Sequence, residues 1–140
     1  MKMSRGLRNN NPGNIRLGSF KYRGERATRS EGAFRQFESI EWGYRAMFVL
    51  LHTYAVRYKC RTLRDMISRY APPSENNTEA YIRRVAHTAH LSDGEPIDTL
   101  DEATMIGVVA AMSEVENGVS ADFESVKGGW SLFYADFVGK

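Results

Sequence analysis

A chain of 140 residues, 42% hydrophobic and 26% charged, reads as one globular domain that buries about two thirds of its unfolded surface, and fibrous, coiled-coil and low-complexity classes are excluded. The formal charge of +2 hides a division: residues 1–70 carry 15 Lys and Arg against 5 Asp and Glu, whereas residues 71–140 carry 4 against 12. Such asymmetry admits either a polyanionic partner or two halves that attract one another in the fold.

The first 38 residues are rich in Gly, Asn and Arg. Asn11-Pro12-Gly13-Asn14 is a turn, because Pro presets φ and Gly accepts positive φ. Two alternating pieces, Ser19–Gly24 and Ala33–Phe37, predict a small β-hairpin around a polar loop from Glu25 to Gly32. Helices follow. Ser39 caps the first, in which Met47, Leu50, Leu51, Tyr54 and Tyr58 recur at three- and four-residue steps. Thr62 and Asp65 open a second, which Pro72-Pro73 closes. Asn76 and Glu79 open a third, carrying Tyr81, Ile82, Val85 and Ala89 and ending near His90. A capping box, Thr99 with Glu102, starts a fourth that stops at Gly118. A short fifth begins at Ser120, ahead of Gly128-Gly129. The expected architecture is mainly α, an α+β domain spanning residues 1–140 with a small N-terminal β-hairpin lobe.

The fourth helix carries an informative irregularity. Met105, Val108, Val109 and Met112 form its apolar stripe, and the same steps continue onto Val115 and Glu116. A carboxyl group thus ends a core-facing stripe, where burial and the negative end of the helix dipole both favour its proton-bearing form. A carboxylic acid that keeps its proton near neutral pH is the general acid that glycoside cleavage needs. Glu114 points to another side.

Other constellations are sparse. His87 and His90 lie one helical turn apart without a third ligand at a recognisable spacing, so no metal is expected. Cys60 allows neither an internal disulfide nor a cysteine metal cluster, and no phosphate-cradling Gly-rich loop suggests a nucleotide cofactor. No cofactor of any kind is expected. No apolar run approaches the roughly 20 residues of a membrane span. The N-terminus lacks the apolar core of a signal peptide.

The segment Arg5-Gly6-Leu7-Arg8-Asn9-Asn10-Asn11-Pro12-Gly13-Asn14-Ile15-Arg16 resembles the opening signature of a phage virion or structural-protein family found in phages and prophages. Phe37–Ala46, Arg69–Ile82 and Glu116-Asn117-Gly118 fit that family in order, so the resemblance covers about residues 5 to 118. The turn, the hairpin and Phe34-Arg35-Gln36-Phe37 also resemble the core of lysozyme-like N-acetylglucosaminidases of the autolysin and flagellar type. In those enzymes the catalytic glutamate helix precedes the Asn-rich turn. Here Glu116-Asn117-Gly118 follows it, as in a circularly permuted chain.

The resemblance implies a lysozyme-like, phage-derived enzyme that cleaves glycosidic bonds of peptidoglycan. Glu116 would be the general acid, Tyr81 a hydroxyl in the cleft, and Asn11, Asn14 and Arg16 its floor, with Gln36 as a further polar contact. Glu25 or Glu31 would supply a second carboxylate for hydrolysis. Without one, a lytic transglycosylase is implied, because the sugar's own hydroxyl then displaces the leaving group. The implied location is a phage virion, or the bacterial cytoplasm with delivery to the cell wall, alongside other virion proteins. The rival expectation is a non-catalytic virion component that binds glycan. Nucleic-acid binding has only the arginine-rich first half in its favour.

Overall fold

The Asn-rich N-terminal segment packs onto a helical body; the structure, a computed structural model, describes residues 3–27 and 32–139. Among the described residues six helices run in chain order: α1 Arg5–Arg8, α2 Ile40–Tyr58, α3 Leu63–Tyr70, α4 Thr78–Ala89, α5 Glu102–Asn117 and α6 Phe123–Phe137. The protein is mainly helical. Its core runs from Ile15, Tyr22 and Phe37 of the N-terminal segment through Met47, Leu51, Met66, Ile82, Val108 and Met112 to Trp130 and Phe133. The α5 helix is central and packs against α1, α2, α4 and α6. No helix among the described residues is long and apolar enough to cross a membrane.

Where a continuous hairpin was expected, the described residues hold isolated antiparallel bridges, Arg16 with Phe34 and Glu25 with Phe37. The physical reason is the Arg35 side chain. Its Nε donates to the Arg16 carbonyl at 2.9 Å and its Nη1 to the Phe20 carbonyl at 2.8 Å, so a guanidinium satisfies backbone groups that a strand ladder would otherwise pair. Residues 15–17 and 25–26 therefore flank the 33–37 segment, and the Ser19–Gly24 stretch bends around the arginine.

The helix ends follow the sequence with four corrections. Ser39 stands at the start of α2, but its hydroxyl makes no capping bond. Asn77 rather than Asn76 caps α4, accepting from Ala80 N at 3.2 Å. Asp101 rather than Thr99 caps α5, accepting from Thr104 N, and Thr99 instead bonds His52 at 2.8 Å. The last helix starts from Asp122 and continues through Gly128-Gly129 to Phe137. Those glycines do not break it because α6 lies against α2: a Cβ on Gly128 would come within 2.7 Å of Glu41 Cγ, and one on Gly129 within 2.5 Å of Tyr44 Cβ. The extra short helix α1 is capped by Ser4, which accepts from Leu7 N at 3.2 Å. Thr62 caps α3 as expected.

The two charged halves do meet. Arg16 faces Glu75, Arg64 faces Glu79 and Asp93, and Arg23 and Arg45 converge on Asp136 at 2.6 and 2.8 Å. Arg45 is almost wholly buried, so the Asp136 carboxylate ties α6 to α2 and to the N-terminal segment. Hydrogen bonds from Arg23 and then Arg45 hold that carboxyl below its ordinary value of 3.8. A carboxyl group depressed on folding stabilises the native state above its unfolded value, and the contribution is lost as pH falls through the lower folded value. In thermal melts between pH 6 and pH 2.5, the wild type is therefore expected to lose stability most steeply below about pH 4, and Asp136→Asn to start lower and show a flatter acid limb. Parallel acid limbs would remove the carboxylate from this role.

Candidate functional site

The site forms where the C-terminal end of α5 abuts the Asn-rich turn. Glu116 Oε1 accepts from Asn14 Nδ2 at 2.9 Å, and Glu116 Oε2 accepts from the Tyr81 hydroxyl, also at 2.9 Å. Two residues far apart in sequence thus converge on the carboxyl group of a third. Glu116 is half-buried, as the end of an apolar stripe at a helix terminus should be.

Local structure explains each position. Asn14 adopts φ 50°, the left-handed region that Asn tolerates better than most residues, and this turns its side chain toward α5. The turn is clamped from both sides. Asn117 donates to the Pro12 carbonyl at 2.8 Å and accepts from Ser4 Oγ at 2.6 Å, and the Tyr70 hydroxyl donates to the Gly13 carbonyl. Gly43 is required on the α2 side, since a Cβ there would collide with the Asn10 carbonyl. Tyr81 reaches Glu116 from α4, whose inner face also buries Ile82 and Val85.

Burial pushes the Tyr81 phenol well above its ordinary value, with Tyr70 and Glu116 adding to the effect. Burial does the same for Tyr70, followed by the Glu116 charge. Both are therefore neutral hydroxyls at any working pH. A phenol hydroxyl can donate or accept, so Tyr81 accommodates Glu116 with or without a proton.

Glu116 lies at the join of two depressions. One, of about 450 Å³, is lined by Asn14, Arg16, Phe34, Tyr70, Glu75 and Glu116 among others. The other is more open, at about 890 Å³, and includes Tyr81, Arg84, Glu114 and Glu116. Asn76 borders both, so together they make a groove that passes over the carboxyl group. Glu114 faces the second depression and accepts from Arg84 at 3.1 Å.

Three sequence expectations fall elsewhere. Asn11 is completely buried: its amide donates to the Ile15 and Arg35 carbonyls at 3.0 and 2.9 Å and accepts from Ile15 N, so it builds the turn instead of facing a ligand. Gln36 is buried and donates to Asn9 Oδ1 at 2.9 Å. Glu25 is buried as the partner of Arg35 at 2.5 Å, and the same oxygen accepts from Tyr22 N at 3.1 Å; it does not line the groove. Glu31 lies outside the described residues. Arg16 does line the groove, with Glu75 at 3.6 Å.

Tyr70 and Glu75 were not singled out by sequence reasoning. Both sit in the Arg69–Ile82 stretch, where Tyr70 ends one helix and Glu75 occupies the following loop, and neither follows a period that would mark a site. A carboxylate across the groove from a recognised arginine was the available signal for Glu75.

A half-buried glutamate held by an amide and a phenol hydroxyl, at the join of two surface depressions on a mainly helical frame, defines the class of protein by its fold and site. No protein-family model matches the chain. The chain is 36% identical over 136 residues to Protein P5 of Pseudoalteromonas phage PM2, an alignment covering 93% of this chain and 83% of the phage protein. At that identity and coverage the chain belongs to the family of this phage protein.

Proposed function

We propose that the protein is a lysozyme-like, phage-derived enzyme that cleaves glycosidic bonds of the peptidoglycan glycan strand, with Glu116 as general acid. The observation that carries this reading is the convergence of Asn14 and Tyr81 on Glu116 at the join of two surface depressions. The Asn-rich turn faces the glutamate even though the glutamate helix follows it in sequence, which supports a permuted lysozyme-like site. Membership in a phage protein family fits action from a virion or after delivery to the wall.

In the proposed step Glu116 gives its proton to the glycosidic oxygen as the C1–O bond breaks, and the Tyr81 hydroxyl donates to the carboxylate left behind. Asn14 fixes the other carboxylate oxygen, so the acid keeps its orientation. Positive charge developing at C1 is then met by one of two nucleophiles. If water attacks, Glu75 is the groove carboxylate available to take its proton. If the sugar's own hydroxyl attacks, Glu116 takes that proton and an anhydro sugar results.

Purified protein incubated with peptidoglycan is expected to release soluble fragments, and mass analysis of their ends distinguishes the routes. New reducing ends with the mass of added water mark hydrolysis; anhydro ends mark transglycosylation. Sedimentation with peptidoglycan but no release of either end from several wall types would replace the enzyme reading with a glycan-binding virion component.

A further inference from the structure

The groove is asymmetric in charge. Phe34, at the edge of the narrower depression, carries two guanidinium groups against it: Arg5 Cζ lies 3.7 Å and Arg16 Cζ 5.0 Å from the ring centroid. Both arginines line the same depression as Glu116. Arg5 is exposed, and its guanidinium lies over Phe34. Arg16 has Glu75 at a loose 3.6 Å, with both side chains more than 60% exposed, so that pair contributes little and yields readily to a competing anion.

We propose that Arg5, Phe34 and Arg16 form an anion subsite that takes a carboxylate carried on the glycan strand, and so selects carboxylate-bearing strands over neutral ones. This rests on the glycan reading of the same groove. Two positive charges gathered at one ring favour a bound anion. Contact with the ring anchors both cations, and a guanidinium fork matches a planar carboxylate in two parallel hydrogen bonds. Alternate sugars of peptidoglycan carry a lactyl group that ends in a carboxylate or in an amide-linked peptide with carboxylates of its own. A chain of N-acetylglucosamine alone carries none.

The test is isothermal titration of the Glu116→Gln protein, which separates binding from turnover, with a peptide-bearing tetrasaccharide muropeptide and with neutral chitotetraose. The muropeptide is expected to bind about tenfold tighter at low salt, and the preference to shrink at 0.5 M NaCl because the charges are exposed. Adding Arg5→Gln and Arg16→Gln is expected to bring the affinity ratio near one, and Arg5→Lys to leave it intermediate, since Lys keeps the charge but loses the fork. Thermal melts confirm that each variant folds, and the Lys variant decides the matter should the double one fail. A strand stripped of peptide by an amidase, which frees the lactyl carboxylate, shows which carboxylates fit: retained preference means that the lactyl carboxylate serves as well as those of the peptide, lost preference that only the peptide's do.

Equal affinities in the starting protein, no binding of the muropeptide, or a preference that survives the double substitution would overturn the subsite. An arginine-dependent preference in a protein whose wild type cleaves no wall would leave the subsite standing and remove the enzyme reading. Wild-type cleavage with arginines that make no difference would do the reverse.

Discussion

Glu116→Gln is expected to reduce release of glycan fragments by about 10²- to 10⁴-fold, the range that a positioned general acid contributes, with a melting curve close to that of the wild type. The amide has the shape of the carboxyl group and can still accept from Asn14 while donating to the Tyr81 hydroxyl, so the hydrogen-bonded junction of α5, α4 and the turn survives. What it lacks is a transferable proton. Full activity in this variant would remove Glu116 from the chemistry altogether.

Two companions separate roles around the carboxyl group. Tyr81→Phe deletes one hydroxyl from a side chain that is 7% exposed, so the ring stays packed and its loss is read mainly in kcat. A decrease of about 10- to 100-fold is expected, smaller than that of Glu116→Gln, because the phenol steadies the carboxylate and does not itself deliver the proton. Asn14→Ala removes the other anchor and one of the residues at the groove surface, so both KM and kcat are expected to worsen. It also surrenders an Asn at φ 50°, and a loss of stability should accompany the kinetic change.

That the glutamate was visible in the sequence at all follows from periodicity. Met105, Val108, Val109 and Met112 are all fully buried, and the same steps continue to Glu116, so the pattern places a carboxyl group at the end of the inner face. Tyr81 was visible for the same reason, beside Ile82 and Val85. The N-terminal segment has no such period. Asn11, Gln36 and Glu25 looked like surface polar residues because alternation in a short irregular stretch does not say which polar side chains turn inward to satisfy backbone groups. The caps show a related limit. Thr99 with Glu102 and Asp101 with Thr104 are overlapping start signals, and the charged Asp occupies the cap while Thr99 is engaged by His52. Gly128-Gly129 reads locally as a helix end; each glycine costs about 1 kcal/mol inside a helix, and the close approach of α2 and α6 overrides that preference. Such an override depends on a partner helix some 85 residues away in the chain, as with Tyr44 and Gly129.

Arg35→Met is expected to be the most damaging single change to the N-terminal segment, lowering stability by about 3–5 kcal/mol, as removal of one member of a buried ion pair does. The side chains of Arg35 and Glu25 are 3% and 1% exposed, so the glutamate would lose its cation in the interior and keep only the Tyr22 amide among these partners. The carbonyls of Arg16 and Phe20 would lose their donor at the same time. Glu25→Gln is the milder test and answers a different question. If Glu25 activated water, this substitution would abolish cleavage at temperatures well below melting. If it serves the fold, as its 2.5 Å contact with Arg35 and its bond from Tyr22 N indicate, turnover per folded molecule should stay within a fewfold of wild type while the melting temperature drops. The double replacement Glu25→Leu with Arg35→Met offers the decisive comparison. By removing both charges it avoids the uncompensated one, so it should be less destabilised than Arg35→Met alone, giving a coupling energy of about 1–3 kcal/mol in a double-mutant cycle. A double variant as unstable as the two single changes added together would mean that the pair does not act as a unit and that the N-terminal segment is held to the groove by other contacts.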